Sequence, residues 1–566
     1  MVAVARDVEL YKRPPHVVMR LARMGCMYQT RISFMRSLVR RMNHYIWTIQ
    51  RALWALDTEG FGEAVYTVRT PDHSYSLVVF SCKLDDADRT DRVIAQKWDA
   101  TFTLFDGIPN DEDMVRLRLC IPQQEAGRCC SSELIMSRAN KSVRLFNYVV
   151  DCLSQGRQPD LARLVRVGYL MRTTAVYGNG KFGMADRQRV MQYEEMCNPY
   201  RAELLTVYLI RCFTHDLVDH IAEMRGGQIS VPLGTKGKRA LGIGNATGLG
   251  MAPYLHKHPQ LMNNWFDARE TALARVRAVE YAGPTKIDRF NQLLSRAQQH
   301  LEQWNTGDAQ QSARIIELRG DLARTELQPL GTTHPWHGLM NWAEQNVSIE
   351  AQEMLASLIL EPYPELVDEL EATMGADETA DVDPGSTLHE FAGIIDQHYS
   401  WALDIDFQLP GSSHWFWYVS REKLEPRIGV RAVENGANKE MPLGVARDVQ
   451  RVYADLKAFR PEQTVAIFLA AHPRHRHIVR RIQNMVRAPY GEIQDNLLAE
   501  EMRPIDMLRS KLSFFGAAKF DPKSDRWTRI TMFQQAPLPG ELHNEDADDW
   551  CFPVVDDASQ GVINTA

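Results

Sequence analysis

No two cysteines of this chain stand in C-x-x-C spacing: Cys26, Cys82, Cys120, Cys129, Cys130, Cys152, Cys197, Cys212 and Cys551 are scattered along 566 residues. The paired ligands of a zinc ribbon or finger are therefore absent. The odd count, modest density and lack of a secretory leader lead to the expectation of free thiols in a reducing cytoplasm. Long apolar runs are missing too. Thr464 to Ala471 is among the longest, far below the ~20 residues of a membrane-spanning helix, so no membrane partner is expected. A surplus of positive charge is also lacking. The formal net charge of -7 argues against a dedicated nucleic-acid binder, whose phosphate contacts draw on Lys and Arg. With 45% hydrophobic and 24% charged residues, the composition is that of a globular protein rather than a disordered or fibrous one.

A further absence is local. Asp and Glu do not occur between Glu9 and Asp57, between Asp160 and Asp186, or from Arg225 to Phe266. Each window carries cations, so each should have a positive local field.

In the first window Ile32, Met35, Leu38 and Met42 recur at helical spacing, and Tyr45, Ile46, Ile49 and Leu53 continue it. The pattern predicts one long core-facing helix, whose basic face meets acidic residues elsewhere in the protein or on a dimer partner. Beyond it, Ala64 to Thr70 and Ser74 to Cys82 flank the turn Pro71-Asp72-His73 and read as a β-hairpin. Thr101 to Phe105 and Val115 to Ile121 read as further strands, and Val143 to Leu153 as a helix. Long helices are predicted at Arg201 to Met224, Pro259 to Tyr281, Lys286 to Trp304 and Ala309 to Leu327, and strands at Ser413 to Ser420, Thr464 to Leu469 and Trp527 to Phe533. The expected fold class is α+β, mostly helical, with small antiparallel sheets in the N- and C-terminal regions. The expected domains are residues 1–158, α+β with the basic helix and hairpins; 159–372, mainly helical; 388–540, α+β; and a loosely attached acidic tail, 541–566.

Two glycine-rich segments fall in the acid-free windows. The first is Gly234 to Gly250, GTKGKRALGIGNATGLG. It is not a P-loop, because Arg239 follows Gly237-Lys238 where a Ser or Thr would hold magnesium. It is not a dinucleotide fingerprint either, since Gly242, Gly244 and Gly248 are spaced G-x-G-x-x-x-G. The physics common to both remains: glycines let backbone N–H groups converge on an oxyanion, which a following helix start also favours. The plainer alternative is a crossover loop with solvated cations. The second segment is Arg172 to Gly183, RTTAVYGNGKFG, where Gly178-Asn179-Gly180 forms a tight turn carrying Lys181; the alternative there is an exposed hairpin tip.

Metal and nucleophile patterns are weaker. His215, Asp216, Asp219, His220 and Glu223 share a helical run without H-E-x-x-H or paired E-x-x-H spacing. His472, His475 and His477 stand among Arg474, Arg476, Arg480 and Arg481, which would repel a cation, and read as a basic helix start. No G-x-S-x-G elbow occurs. No metal site is assigned, and no cofactor is identified.

The resulting expectation is an enzyme acting on a small or cofactor-linked carboxylate or phosphate, by lyase, isomerase or hydrolase chemistry in which cations stabilise an oxyanion. Lys181, Lys238, Tyr177 and His256 are the candidate catalytic groups; Arg172, Asn179, Gly180, Lys236, Arg239, Gly244, Asn245 and Thr247 are the candidate substrate contacts. The competing expectation is a non-catalytic scaffold or regulatory protein binding an acidic partner. Long helices with basic faces are compatible with a homo-oligomer. Convergence of the two glycine-rich segments on one cavity is the observation that would favour an enzyme.

Overall fold

The computed structural model describes all residues except 1–7, 25, 27, 86–96, 124–129, 174–189, 191, 249–258, 329, 332, 376–380, 407–415, 420–425, 430–438, 441–442, 495–508, 510–512, 519, 525–526 and 555–566. Its organising element is a sheet. Strands β1 (Thr48–Leu56), β2 (Gly62–Arg69), β3 (Ser74–Ser81), β4 (Ala100–Asp106), β5 (Glu133–Lys141) and β6 (Tyr169–Thr173) form an antiparallel meander, to which β7 (Gly242–Gly248) adds parallel to β6. A small antiparallel sheet of β8 (Phe416–Val419), β9 (Pro426–Gly429) and β10 (Lys439–Glu440) stands apart. Then β11 (Phe520–Ser524) and β12 (Trp527–Met532) return to the large sheet, β12 pairing antiparallel with β7.

The order β1-β2-β3-β4-β5-β6-β7-β12-β11 makes one nine-stranded mixed sheet. The expected small antiparallel sheets at the two ends are therefore corrected to one large sheet rooted in the N-terminal region. Three local misreadings account for the difference. The first predicted helix stops early: α1 spans Phe34–His44, Ile46 turns the chain with φ 52°, and β1 begins at Thr48. Val115 to Ile121 is instead part of α2 (Asp111–Cys120), which a capping box from Asn110 to Asp113 starts. The glycine-rich segment divides into a short helix, Thr235–Ala240, and a strand, β7.

Helices α3 (Phe146–Ser154) and α4 (Leu161–Val167) flank β6 in sequence, followed by α5 (Arg201–Gly226) and α6 (Thr235–Ala240). The 26-residue α5 packs against β3 to β7 and is buried nearly all round its first four turns, polar Arg201, Glu203 and Arg211 included. On the opposite face, Met114 and Leu117 of α2 with Ile121 cover Val65, Val78, Phe80, Phe105 and Met136. Four more helices, α7 (Pro259–Arg277), α8 (Pro284–Gln303), α9 (Ala309–Glu326) and α10 (Pro335–Asn346), precede α11 (Ile349–Leu358); the first three lie where helical periodicity placed them.

A second core gathers α12 (Leu388–His398), α13 (Leu443–Leu456), α14 (Val465–Ala471) and α15 (Arg476–Asn484) around Phe391, Val449, Phe468 and Ile482. Here α14 replaces the strand expected at Thr464 to Leu469.

The arginines of the first acid-free window find internal partners. Arg13 reaches Glu270 at 2.8 Å and Glu353 at 2.7 Å. Arg31 reaches Asp368 at 2.6 Å and Asp548 at 2.9 Å, while Arg36 pairs with Glu361 and, at 3.2 Å, Asp548. The described part of the expected loose tail is instead held: Asp548 is ion-paired, and Trp550, Cys551 and Phe552 are buried in the main core.

Candidate anion-binding site

The parallel pairing of β6 with β7 sets Arg172, the first residue of one glycine-rich segment, opposite Gly244 of the other; residues 174–183 of the former lie outside the described residues. How the two strands meet differs from a phosphate loop. Pairing with β6 and β12 commits the β7 backbone to sheet ladders, so its N–H groups are not a free cradle. The glycines serve close packing: a Cβ on Gly244 would lie 2.6 Å from Tyr169 Cγ and 2.8 Å from Arg172 Cγ, and one on Gly242 would lie 2.1 Å from the Met532 carbonyl oxygen. Asn245 is buried, and neither atom of its side-chain amide has a hydrogen-bond partner. Thr247 pairs with Thr528 along β12. Tyr177, Asn179, Gly180, Lys181 and His256 lie outside the described residues.

The cations before β7 divide. Lys238 Nζ is held by Asp219 of α5 at 2.8 Å, and Arg239 Nε by Glu541 at 3.0 Å. Lys236 and Arg239 line a cleft of about 780 Å³ with Thr235, Asn291, Arg296 and Gln535. On the other side of α4 lies a second cleft of about 560 Å³, and its lining is dominated by Arg144, Arg163, Arg166 and Arg529, with Tyr169 and Trp304 among its walls. Asp521 is the one carboxylate lining it among the described residues, and Thr306 Oγ1 donates to that group at 2.5 Å.

This arginine cleft is built by α4. Asp160 caps the helix, accepting from Arg163 N at 2.7 Å, and Gly168 ends it with φ 82° and its N–H on Leu164 O at 2.7 Å. The short helix thus presents Arg163 and Arg166 three residues apart on one side, while Leu161 and Val165 line the neighbouring cleft. The Arg163 guanidinium lies 3.7 Å from the Tyr148 ring centroid, a cation–π contact that orders it. Arg144, Arg163 and Arg166 are exposed and have no acidic partner among the described residues. Guanidinium groups stay charged at all physiological pH and offer fork-shaped donors to carboxylate or phosphate. Among the described residues the lining sets four such groups beside one carboxylate, Asp521.

Sequence reasoning did not single out Arg144, Arg163, Arg166 or Arg529. A signal existed for two of them, since Arg163 and Arg166 lie in the acid-free window before Asp186. The histidine pairs of α5 are occupied otherwise. His215 is buried, and burial followed by Arg211 and Lys238 pushes its pKa well below the ordinary value, while His220 contacts Trp54 and the Asp57 carbonyl. No described helix is long and apolar enough to cross a membrane. Protein-family models, curated proteins and solved structures offer no match to this chain.

Proposed function

We propose that this protein binds a small anionic ligand, bearing phosphate or carboxylate groups, in the arginine cleft beside α4. The observation that carries the reading is the lining of Arg144, Arg163, Arg166 and Arg529 against the single carboxylate of Asp521. A volume near 560 Å³ suits a ligand of metabolite or nucleotide size. Lyase, isomerase or hydrolase chemistry would use the same guanidinium groups to hold a developing oxyanion. The eight described cysteines are free thiols, which suits a reducing cytoplasm.

A second reading, docking of an acidic partner, is favoured by the exposure of Arg144, Arg163 and Arg166. One experiment separates the two. Thermal shift and calorimetry with inorganic phosphate, pyrophosphate, citrate and ATP are expected to find at least one stabilising anion. Because a hydrogen bond to a charged group contributes roughly 1.5–3 kcal/mol, the double variant Arg144→Ala/Arg166→Ala should bind it at least about tenfold more weakly. If none of these anions stabilises the protein, or the double variant binds as tightly as the parent, the small-ligand reading is wrong.

A further inference from the structure

Packing of the second core brings three metal-capable side chains together from separate turns of chain. Asp455 lies near the C-terminus of α13, His472 directly follows α14, and His475 closes the short turn Pro473–His475 that leads into α15. Asp455 Oδ2 is 2.8 Å from His475 Nε2 and 3.6 Å from His472 Nδ1, and the three ligand atoms all lie within 4.8 Å of one another. Among the described residues this is the one cluster of three such groups. Tetrahedral coordination at the usual ~2.0–2.2 Å bond lengths places ligand atoms roughly 3.3 Å apart, so the cluster encloses a centre of the right size after shifts of about half an ångström to an ångström.

The rings are held in place by the core. The Phe468 ring lies parallel to that of His475, with centroids 5.8 Å apart and planes at 4°, and Phe459 lies edge-on to His472 at 5.7 Å. His475 is buried, whereas His472 and Asp455 are partly open to solvent, so an ion can enter from the surface side. We infer that Asp455, His472 and His475 form a binding site for a divalent transition-metal ion, of which Zn²⁺ fits the imidazole and carboxylate ligands best.

The basic surroundings that argue against a cation in the sequence are resolved by where each arginine goes. Arg481 is ion-paired with Glu492, and Arg476 and Arg480 are exposed. Of these arginines Arg474 touches the cluster, with Nη2 2.7 Å from Asp455 Oδ2 and Nε donating to His475 Nε2 at 3.4 Å, and its side chain is 68% exposed. That guanidinium competes with the metal for the carboxylate and is free to swing into solvent when the metal binds. Exposed arginine–carboxylate pairs are weak, whereas a Zn–O bond is not.

The test uses the whole 566-residue chain, stripped with chelator and titrated with Co²⁺ as a spectroscopic probe and then with Zn²⁺. The expected result is one equivalent of Co²⁺ with visible d–d bands, no thiolate-to-cobalt charge-transfer band, and displacement by Zn²⁺. His472→Ala should weaken binding by more than about tenfold while leaving the far-UV spectrum unchanged. Arg474→Ala, on the surface, should tighten it by roughly two- to fivefold as the competitor is removed. Absence of saturable Co²⁺ binding, a thiolate signature, or equal affinity in His472→Ala and Asp455→Asn would overturn the site. Equal or weaker binding in Arg474→Ala would overturn the competition.

Discussion

A single missing Cβ decides how β6 and β7 lie together. Tyr169 and Arg172 cross over Gly244, and Tyr169 then forms part of the arginine cleft. Gly244→Ala forces those two side chains aside, and overpacking of this kind costs about 1–3 kcal/mol, to be read as a lower urea midpoint with an unchanged slope. Gly338 on α10 is the control, since a Cβ there meets nothing within 4 Å; Gly338→Ala should instead stabilise by about 0.5–1 kcal/mol through helix propensity alone. Equal effects of the two substitutions would refute the packing role. From sequence, six glycines beside Lys236, Lys238 and Arg239 look alike. Only their neighbours distinguish a glycine that receives a ligand from one that receives a tyrosine ring.

At the scale of one element, α4 is a seven-residue helix, too short to hold itself together in water. Its cap and its left-handed terminal glycine compensate, together with packing of Leu164 and Val165 into the main core. Asp160→Ala removes the cap and should cost about 1 kcal/mol. Because Arg163 and Arg166 ride on this helix, the same variant should bind the stabilising anion more weakly, although residue 160 does not line the cleft. Calorimetry at matched fraction folded checks this, and unchanged affinity would uncouple the cap from the site. The element itself was half legible: the apolar run from Leu161 to Met171 is visible in the sequence, but its division into α4 and β6 at Gly168 follows from sheet pairing.

Across the whole molecule, buried ion pairs tie the N-terminal segment and the C-terminal residues to the helices between them. Burial by itself would raise the Glu270 carboxyl, but Arg13 and Arg269 outweigh it and lower its pKa from 4.5 to about 2. A carboxylate depressed in the folded state contributes stability that is complete above its unfolded pKa and is lost as pH falls through the folded value. Acid titration of the unfolding free energy should therefore decline between about pH 4.5 and pH 2, with this one group accounting for roughly 3 kcal/mol. Glu270→Gln should flatten that portion of the profile and lower stability at neutral pH, because Arg13 and Arg269 stay buried with less compensation. A parallel decline in parent and variant would show the pair to be uninvolved.

What the sequence by itself determined is local: helix periodicity in α5, α7, α8 and α9, the β2–β3 hairpin, and windows where cations have no acid beside them. These follow from side-chain spacing and turn chemistry over a few residues. Only the tertiary structure decided which cations stay available. Arg13, Arg31 and Arg36 look as free as Arg163 and Arg166 along the chain, yet the first three meet acids from 257 to 517 residues away, namely Glu270, Glu353, Glu361, Asp368 and Asp548. The same holds for the sheet, where β12 joins β7 across nearly the whole second half of the chain. Burial brings such distant groups together. A buried arginine must find a carboxylate, whereas one on an exposed helix end need not, and that difference in solvation leaves the cleft beside α4 positively charged.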